Sequence, residues 1–403
     1  MTAAGAEERL ARAVLCGLAE PGRLDLWLLV HEVGAVEALE RIRQAAVTAG
    51  LRDLVAPRLS GTDVTADAAG ALDRCERRGV RFAVPGDDEW PGACLHSLLL
   101  CAVRRSREGG AAGDVNVAPP LGLWVRGPLS LAEATARSVA VVGARAATGY
   151  GAHVAAELAY GLADRGWTVV SGGAYGIDAA AHRGALAADA GTVAVLACGV
   201  DTAYPVGHTS LFERIADSGL LLSEWPPGAS PRRHRFLVRN RVIAAMTAGT
   251  VVVEAAARSG ALATARRARG LGRVLMAVPG PVTSAMSVGA HQLVRDSDAR
   301  LVTSAAEVVE EVGALGSDLA TRPRGPESWR DALGPVGGAV LEALCRRARS
   351  VDEIAADAGV TVADAERVLP GLVGCGAAEQ VGDRYRGVLA EGEAPLTTEP
   401  VVR

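Results

Sequence analysis

The sequence predicts an α/β protein: a doubly wound, mostly parallel sheet, with a helical module before it and a winged-helix module after it. Three observations lead there. Strand-like apolar runs begin near residues 139, 167, 192, 220, 250, 273 and 300, each followed by a helical pattern, and this alternation is what β-α units produce. Two middle runs, TVAVLACG from Thr192 and TVVVEAA from Thr250, are continuous and apolar, as strands covered on both faces are. Residues 139–183 read strand, Gly-rich loop, helix, strand, Gly-rich loop, helix. Two parallel strands would then present glycine loops and helix N-termini along one sheet edge, where N–H groups and the helix dipole favour an anion such as phosphate.

The elements follow in order. Residues 1–100 form a helical module, with apolar spacing at Leu10, Val14 and Leu18 and again from Trp27 to Leu39, broken at Glu20-Pro21-Gly22. A short strand is expected at 80–84, and the Gly, Arg and Pro content of 101–120 reads as a linker. The core spans 121–312; its first helix shows Val154, Leu158 and Leu162 at every fourth position. A second linker covers 313–334, with Pro323 and Pro326. In 335–388, a helix through Ala339 and Leu344, a capping box at Ser350-Val351-Asp352-Glu353, a third helix opening at Thr361 and a hairpin turning at Gly382-Asp383 make the winged-helix pattern. That third helix sets Asp364 and Glu366 against Arg367, a poor balance for a DNA groove, so a protein contact or a structural role is expected of it. Residues 389–403 read as a disordered tail.

Composition narrows the chemistry. A chain of 403 residues implies two or three domains, and with 49% apolar but 3% aromatic content the core must be Ala, Val and Leu. No run of 18 uncharged apolar residues occurs, so a soluble, cytoplasmic protein without membrane contact is expected. Seven cysteines without a C-x-x-C pair fit reduced thiols rather than disulfides or a metal site. All 42 basic residues are arginine, which excludes a P-loop lysine and a Schiff-base lysine. The charge is unevenly placed: between Trp225 and Arg295 eleven arginines face one acid, Glu254, a local balance of +10 in a chain of net charge −4, so the rest carries −14. Such asymmetry points to a polyanion.

The motifs sharpen this. A dinucleotide site needs G-x-G-x-x-G after the first strand and an acid after the second; here Arg145 stands at the second glycine and strand two ends in Ser171-Gly172-Gly173, so NAD is rejected and no cofactor is expected. Arg145, in the loop opened by Gly143, can fork onto a phosphate, or serve in a structural ion pair. Asp178 and His182 share a helix face at i, i+4, either as an acid/base pair or as a helix-stabilising contact, and Arg183 adds a second candidate phosphate ligand. In RRHRFLVRNR, Arg232, Arg235, Arg239 and Arg241 interleave with Phe236, the combination of charge and stacking surface that single strands require. On a helix Arg235 and Arg239 share a face while Arg241 lies about 200° from Arg239, which leaves Arg241 a structural partner for Glu254. Ser259, Gly260 and Thr264 open a further helix with hydroxyl and N–H donors.

These residues carry a family pattern: VVGAR, Tyr150-Gly151, SGGAYGIDAAAH, Tyr204-Pro205, SEWPPG, F-x-x-RNR, VVVEA, SGALATA and AVPG, in this order. Together they resemble the bacterial DNA-processing protein A (DprA, also called Smf) family, densely over residues 139–302. The resemblance implies an extended Rossmann-like fold, with the N-terminal module of SAM or helix-hairpin-helix type, that binds and protects single-stranded DNA, forms a homodimer and helps load the recombinase RecA in DNA uptake and recombination. The family is not known as an enzyme, so no catalytic residue is expected. By motif position the implied ligand set is Gly143, Arg145, Ser171, Gly172, Gly173, Arg183, Phe236, Arg239, Asn240, Arg241, Ser259 and Gly260. Ala144 stands where serine is usual, Arg183 where lysine is frequent, and His208 and His291 where asparagine is frequent. The rival expectation is a nucleotide-processing enzyme on a similar sheet, of the phosphoribohydrolase kind, although its P-G-G-x-G-T-x-x-E motif is absent.

Overall fold

The computed structural model describes residues 5–60, 63–107, 117–314, 318–320 and 329–388. They belong to two compact units that divide after Ala320.

The first unit opens with helices α1 (Ala6–Leu18), α2 (Leu24–Val33), α3 (Ala35–Arg43), α4 (Ala49–Leu59) and α5 (Val64–Glu76). The spacing of Ala11, Val14, Leu15 and Leu18 gives α1 one apolar stripe, buried against Leu26, Val30, Leu39 and Ile42. Asp63 caps α5 by accepting the Thr65 and Ala66 N–H groups. The chain then enters the sheet: β1 (Val80–Ala83) pairs antiparallel with β2 (Leu123–Arg126). Between them runs α6 (Gly92–Arg107), so residues 101–107 are helical rather than linker. Leu95, Leu98 and Ala102 bury one side of this helix, while the arginine content that reads as linker belongs to its last turns. Residues 108–116 of the expected linker lie outside the described residues.

After α7 (Leu131–Ala136) come the β-α units: β3 (Ser138–Val142), α8 (Gly149–Asp164), β4 (Thr168–Ser171), α9 (Ile177–Ala187), β5 (Thr192–Val195), α10 (Thr209–Ser218) and β6 (Leu220–Ser223). They continue with α11 (Arg233–Met246), β7 (Gly249–Val252), α12 (Ala261–Gly270), β8 (Val274–Ala277), α13 (Val288–Asp296), β9 (Arg300–Leu301) and α14 (Ala305–Val312). Strands β3 to β9 each start within one residue of the position read from the sequence. The nine strands lie in the order β1-β2-β6-β5-β4-β3-β7-β8-β9; β3 to β9 pair in parallel, and β2 joins β6 antiparallel.

The unbroken apolar runs have the expected cause. Alternate residues of β3 feed different cores, Ala140 and Val142 one face, Val139 and Val141 the other, and β5 and its continuation divide likewise. Each such buried valine contributes roughly 1.5–3 kcal/mol. Because β3 has β4 on one side and β7 on the other, chain direction across the sheet reverses there, which opens a crevice beyond the carboxyl ends of these strands.

The second unit contains α15 (Gly334–Ala343), α16 (Val351–Ala358), α17 (Val362–Gly374) and the hairpin β10 (Ala378–Val381) with β11 (Arg384–Gly387). Its core is Val340, Ile354, Ala365, Leu369 and Leu372. The Ser350/Glu353 capping box forms, and Thr361 caps α17, which continues through Pro370. Residues 389–403, the expected tail, and part of the expected linker at 313–334 lie outside the described residues. All seven cysteines are free thiols. Among the described residues, no helix is long and apolar enough to cross a membrane.

Candidate nucleic-acid interface

The loops leaving β3, β4 and β7 and the first turns of α11 and α12 enclose a cleft of about 770 Å³ at the crevice. Gly143 and Arg145 come from the first loop, Asp178 from α9, and Arg232, Arg233, Phe236, Arg239 and Asn240 from the start of α11. Arg258, Ser259, Gly260 and Thr264 close the cleft on the β7 side, and Tyr204 reaches in from the loop before α10.

Several amides of the glycine loops are taken up by the protein itself. At the N-terminus of α8 the carboxylate of Glu254, itself buried, accepts the Thr148 N–H at 2.9 Å and the Thr148 hydroxyl at 2.6 Å, and that hydroxyl accepts the Gly151 N–H. A Cβ at Gly151 would run into the Glu254 carboxylate. The positive end of α8, where a pyrophosphate would sit, is thus filled by the protein's own anion. At the start of α9 the Asp178 carboxylate accepts the Gly172 and Ala174 N–H groups at 3.2 and 3.4 Å. Ser171, Gly172 and Gly173 are buried beneath the cleft. The Ser171 hydroxyl donates to the Val141 carbonyl, and the Gly172 carbonyl accepts from Arg239. Gly172 is glycine because a Cβ would strike the Arg239 guanidinium, and Gly173 because its φ is +69° against the Phe212 ring. In this structure the contacts of Gly172 hold Arg239 and Asp178.

The arginines of α11 divide. Arg232 and Arg233 are exposed at its start. Arg235 turns away from the cleft onto Glu20, Nη2 donating to Oε1 at 2.6 Å and Nε to Oε2 at 3.1 Å. Arg241 is fully buried and donates to Glu224 at 2.5 Å, not to Glu254, whose carboxylate is taken by Thr148. Neither is available to a ligand. Arg239 is buried but borders the cleft, giving Nη1 to the carbonyls of Gly172 and Val195 at the ends of β4 and β5. Burial pushes its guanidinium down to about 10, opposed by Asp178. Burial in turn pushes the Asp178 carboxyl up, against the pull of Arg239 and the two loop amides.

Arg145 is exposed, its guanidinium 4.9 Å over the Phe236 ring, and Tyr204 lies 5.6 Å from the same ring. Arg145 also borders a second groove of about 470 Å³, which Tyr175 and the exposed Arg183 line. Sequence reasoning missed Arg233, Arg258 and Tyr204 as cleft residues. The first stood in the RRHRF run and the second beside Ser259, so the arginine spacing held the signal for both. Among the described residues, none of Arg145, Arg183, Arg232, Arg233 or Arg258 lies within ion-pair distance of a carboxylate. Ser259 accepts the Ala261 N–H and so caps the entry to α12.

Asp178 and His182 form no acid/base pair. His182 Nδ1 lies 2.9 Å from the Thr192 hydroxyl, which donates to the Val169 carbonyl, so Nδ1 carries the proton. Burial drives its pKa down to about 3 and the ring is neutral. Among the described residues no group of three or more His, Cys, Asp or Glu side chains is placed to hold a metal.

Known proteins resemble this chain over most of its length. The family model for DNA recombination-mediator protein A matches residues 112–313, which include every cleft residue named above. A candidate DNA processing protein DprA of Mycobacterium tuberculosis is 47% identical over 377 residues, covering 93% of each chain. The DNA processing protein DprA of Streptococcus pneumoniae is 40% identical over 192 residues, 48% of this chain and 67% of its own. The X-ray structure of DprA from Streptococcus pneumoniae superposes with a TM-score of 0.56 at 30% identity, over 78% of this chain and all of the other (100%). With its switch-point cleft inside the matched segment and its likeness running nearly end to end, the chain belongs to the DNA recombination-mediator protein A family.

Proposed function

We propose that this chain is a non-enzymatic protein of DNA processing and recombination that binds single-stranded DNA in the switch-point cleft. The observation that carries the reading is the set of four exposed arginines, Arg145, Arg232, Arg233 and Arg258, around one opening, none in an ion pair with a described carboxylate. Guanidinium groups so placed are matched by phosphates. Phe236 and Tyr204 add stacking faces inside the cleft, where only an unpaired base reaches them. The second groove, with Tyr175 and Arg183, continues the path of the strand past Arg145.

The test is a titration of fluorescent single- and double-stranded oligonucleotides at several salt concentrations. The single strand should bind more tightly, with a log–log salt slope of about −0.7 per phosphate neutralised. Arg232→Ala, Arg233→Ala and Arg258→Ala should each flatten that slope without changing sequence preference. Equal affinity for duplex, or slopes unmoved in all three variants, would overturn the reading. Base release from nucleoside monophosphates, lost in Asp178→Asn, would establish the phosphoribohydrolase alternative instead. In line with the family resemblance, the proposal extends to a cytoplasmic homodimer that hands the strand to the recombinase RecA. Sedimentation of the free protein and RecA filament growth on coated single strands test those two parts.

A further inference from the structure

We infer that Glu20, in the turn between α1 and α2, is a positioning residue for strand binding that couples the N-terminal helices to the cleft. This rests on the single-strand reading above.

Helix α11 begins under unfavourable local terms. Its N-cap, Arg232, makes no side-chain cap bond, its first turn has no acid, and Arg233 and Arg235 sit at the positive end of its dipole. Yet this turn carries Arg232, Arg233 and Phe236 into the cleft. Glu20, 215 residues earlier, supplies what the turn lacks. Its carboxylate takes two hydrogen bonds from Arg235, at 2.6 and 3.1 Å, and one from Trp225 Nε1 at 2.8 Å, with His234 Nε2 at 3.6 Å. Arg235 also donates to the Ser230 carbonyl at 2.9 Å and lies 5.4 Å over the Trp225 ring. Arg235 and Trp225 are 7% and 2% exposed while the Glu20 side chain is 26% exposed, so the clamp is buried on its α11 side and half-buried at the carboxylate.

Without the carboxylate the Arg235 guanidinium would keep the Ser230 carbonyl and the Trp225 ring but no counter-charge, and it would be driven toward solvent. Phe236 is its chain neighbour, and Arg232 and Arg239 lie one turn to either side, so the turn that moves is the one that grips the strand. Glu20 itself lines no part of the cleft.

Full-length Glu20→Gln, which keeps the shape of the side chain, and Glu20→Ala are compared with wild type and with Arg258→Ala. Affinity for a single-stranded oligonucleotide should fall roughly three- to thirtyfold in the Glu20 variants. Their salt slope should stay at the wild-type value because no phosphate contact has been removed, whereas Arg258→Ala lowers the slope. Amide hydrogen exchange over residues 231–238 should accelerate in the Glu20 variants while α8 keeps its protection. Unchanged affinity together with unchanged exchange in Glu20→Gln overturns the inference, as does a slope that falls as it does in Arg258→Ala. A wild-type chain that ignores single strands removes the earlier reading instead, and the exchange measurement still decides whether Glu20 holds the turn.

Discussion

Arg145 and Arg239 both lie within 6.0 Å of the Phe236 ring, and their surroundings give them opposite work. Arg145 is exposed and in no ion pair with a described carboxylate, so Arg145→Ala should flatten the salt slope by about 0.7 while leaving the urea midpoint where it was. Arg239 is buried across two strand carbonyls, and its removal strands both of them and the Asp178 carboxylate. Arg239→Ala should therefore destabilise the fold by about 3 kcal/mol in urea, with weaker binding only as a consequence. His182 gives a pH signature. Its native pKa of about 3 lies below the ordinary histidine value of about 6.5, so below that value the unfolded chain takes a proton the native state refuses. The contribution is fully present above about pH 6.5 and is lost at about 1.4 kcal/mol per unit down to about pH 3. In His182→Gln the urea midpoint should fall less steeply over that range; equal steepness would refute the assignment. The charge of each arginine was legible in the sequence; its partner was not. Glu20 lies far outside the basic island, and Glu224 one residue before its start at Trp225.

At the scale of the element, the start of α8 shows why a phosphate cradle read from glycine loops became something else. Amides at a helix start must be satisfied, and a sequence does not tell whether a ligand or the chain's own acid will do it. Here Glu254 does, through Thr148. Thr148→Ala removes the cap to Gly151 and leaves Glu254 Oε1 without its hydroxyl, so it should cost about 2 kcal/mol, while Thr148→Ser, which keeps the hydroxyl, should stay within about 0.5 kcal/mol of wild type. Chemical denaturation of both variants checks this, and equal losses would remove Glu254 as the filler of the site. The strands were legible to within a residue because Val139–Val142 and Leu220–Leu222 are buried on both faces and carry no polar alternation. The end of α6 was not, since the apolar side of Leu95, Leu98 and Ala102 lies before the charged turns that read as a linker.

For the whole molecule, the strand order places the reversal of chain direction, the cleft and the basic island at one sheet edge, all within the unit that ends at Ala320. Residues 321–403 have a different balance, ten arginines against thirteen acids, and there the three helices and hairpin form a core of their own around Val340, Ile354 and Leu369. The salt slope counts the phosphates that individual cations neutralise, and the dense run of arginines between Trp225 and Arg295 has no counterpart in the second unit. A chain ending at Ala320 should therefore bind single strands with the salt slope of the full protein, although a docking partner that needs the second unit would be lost with it. The measurement is the same titration on both chains. A slope that falls on truncation would put cations of the second unit on the strand and make the cleft only part of the footprint. A slope that holds places the electrostatic grip in the first unit and leaves the second unit free for protein contacts.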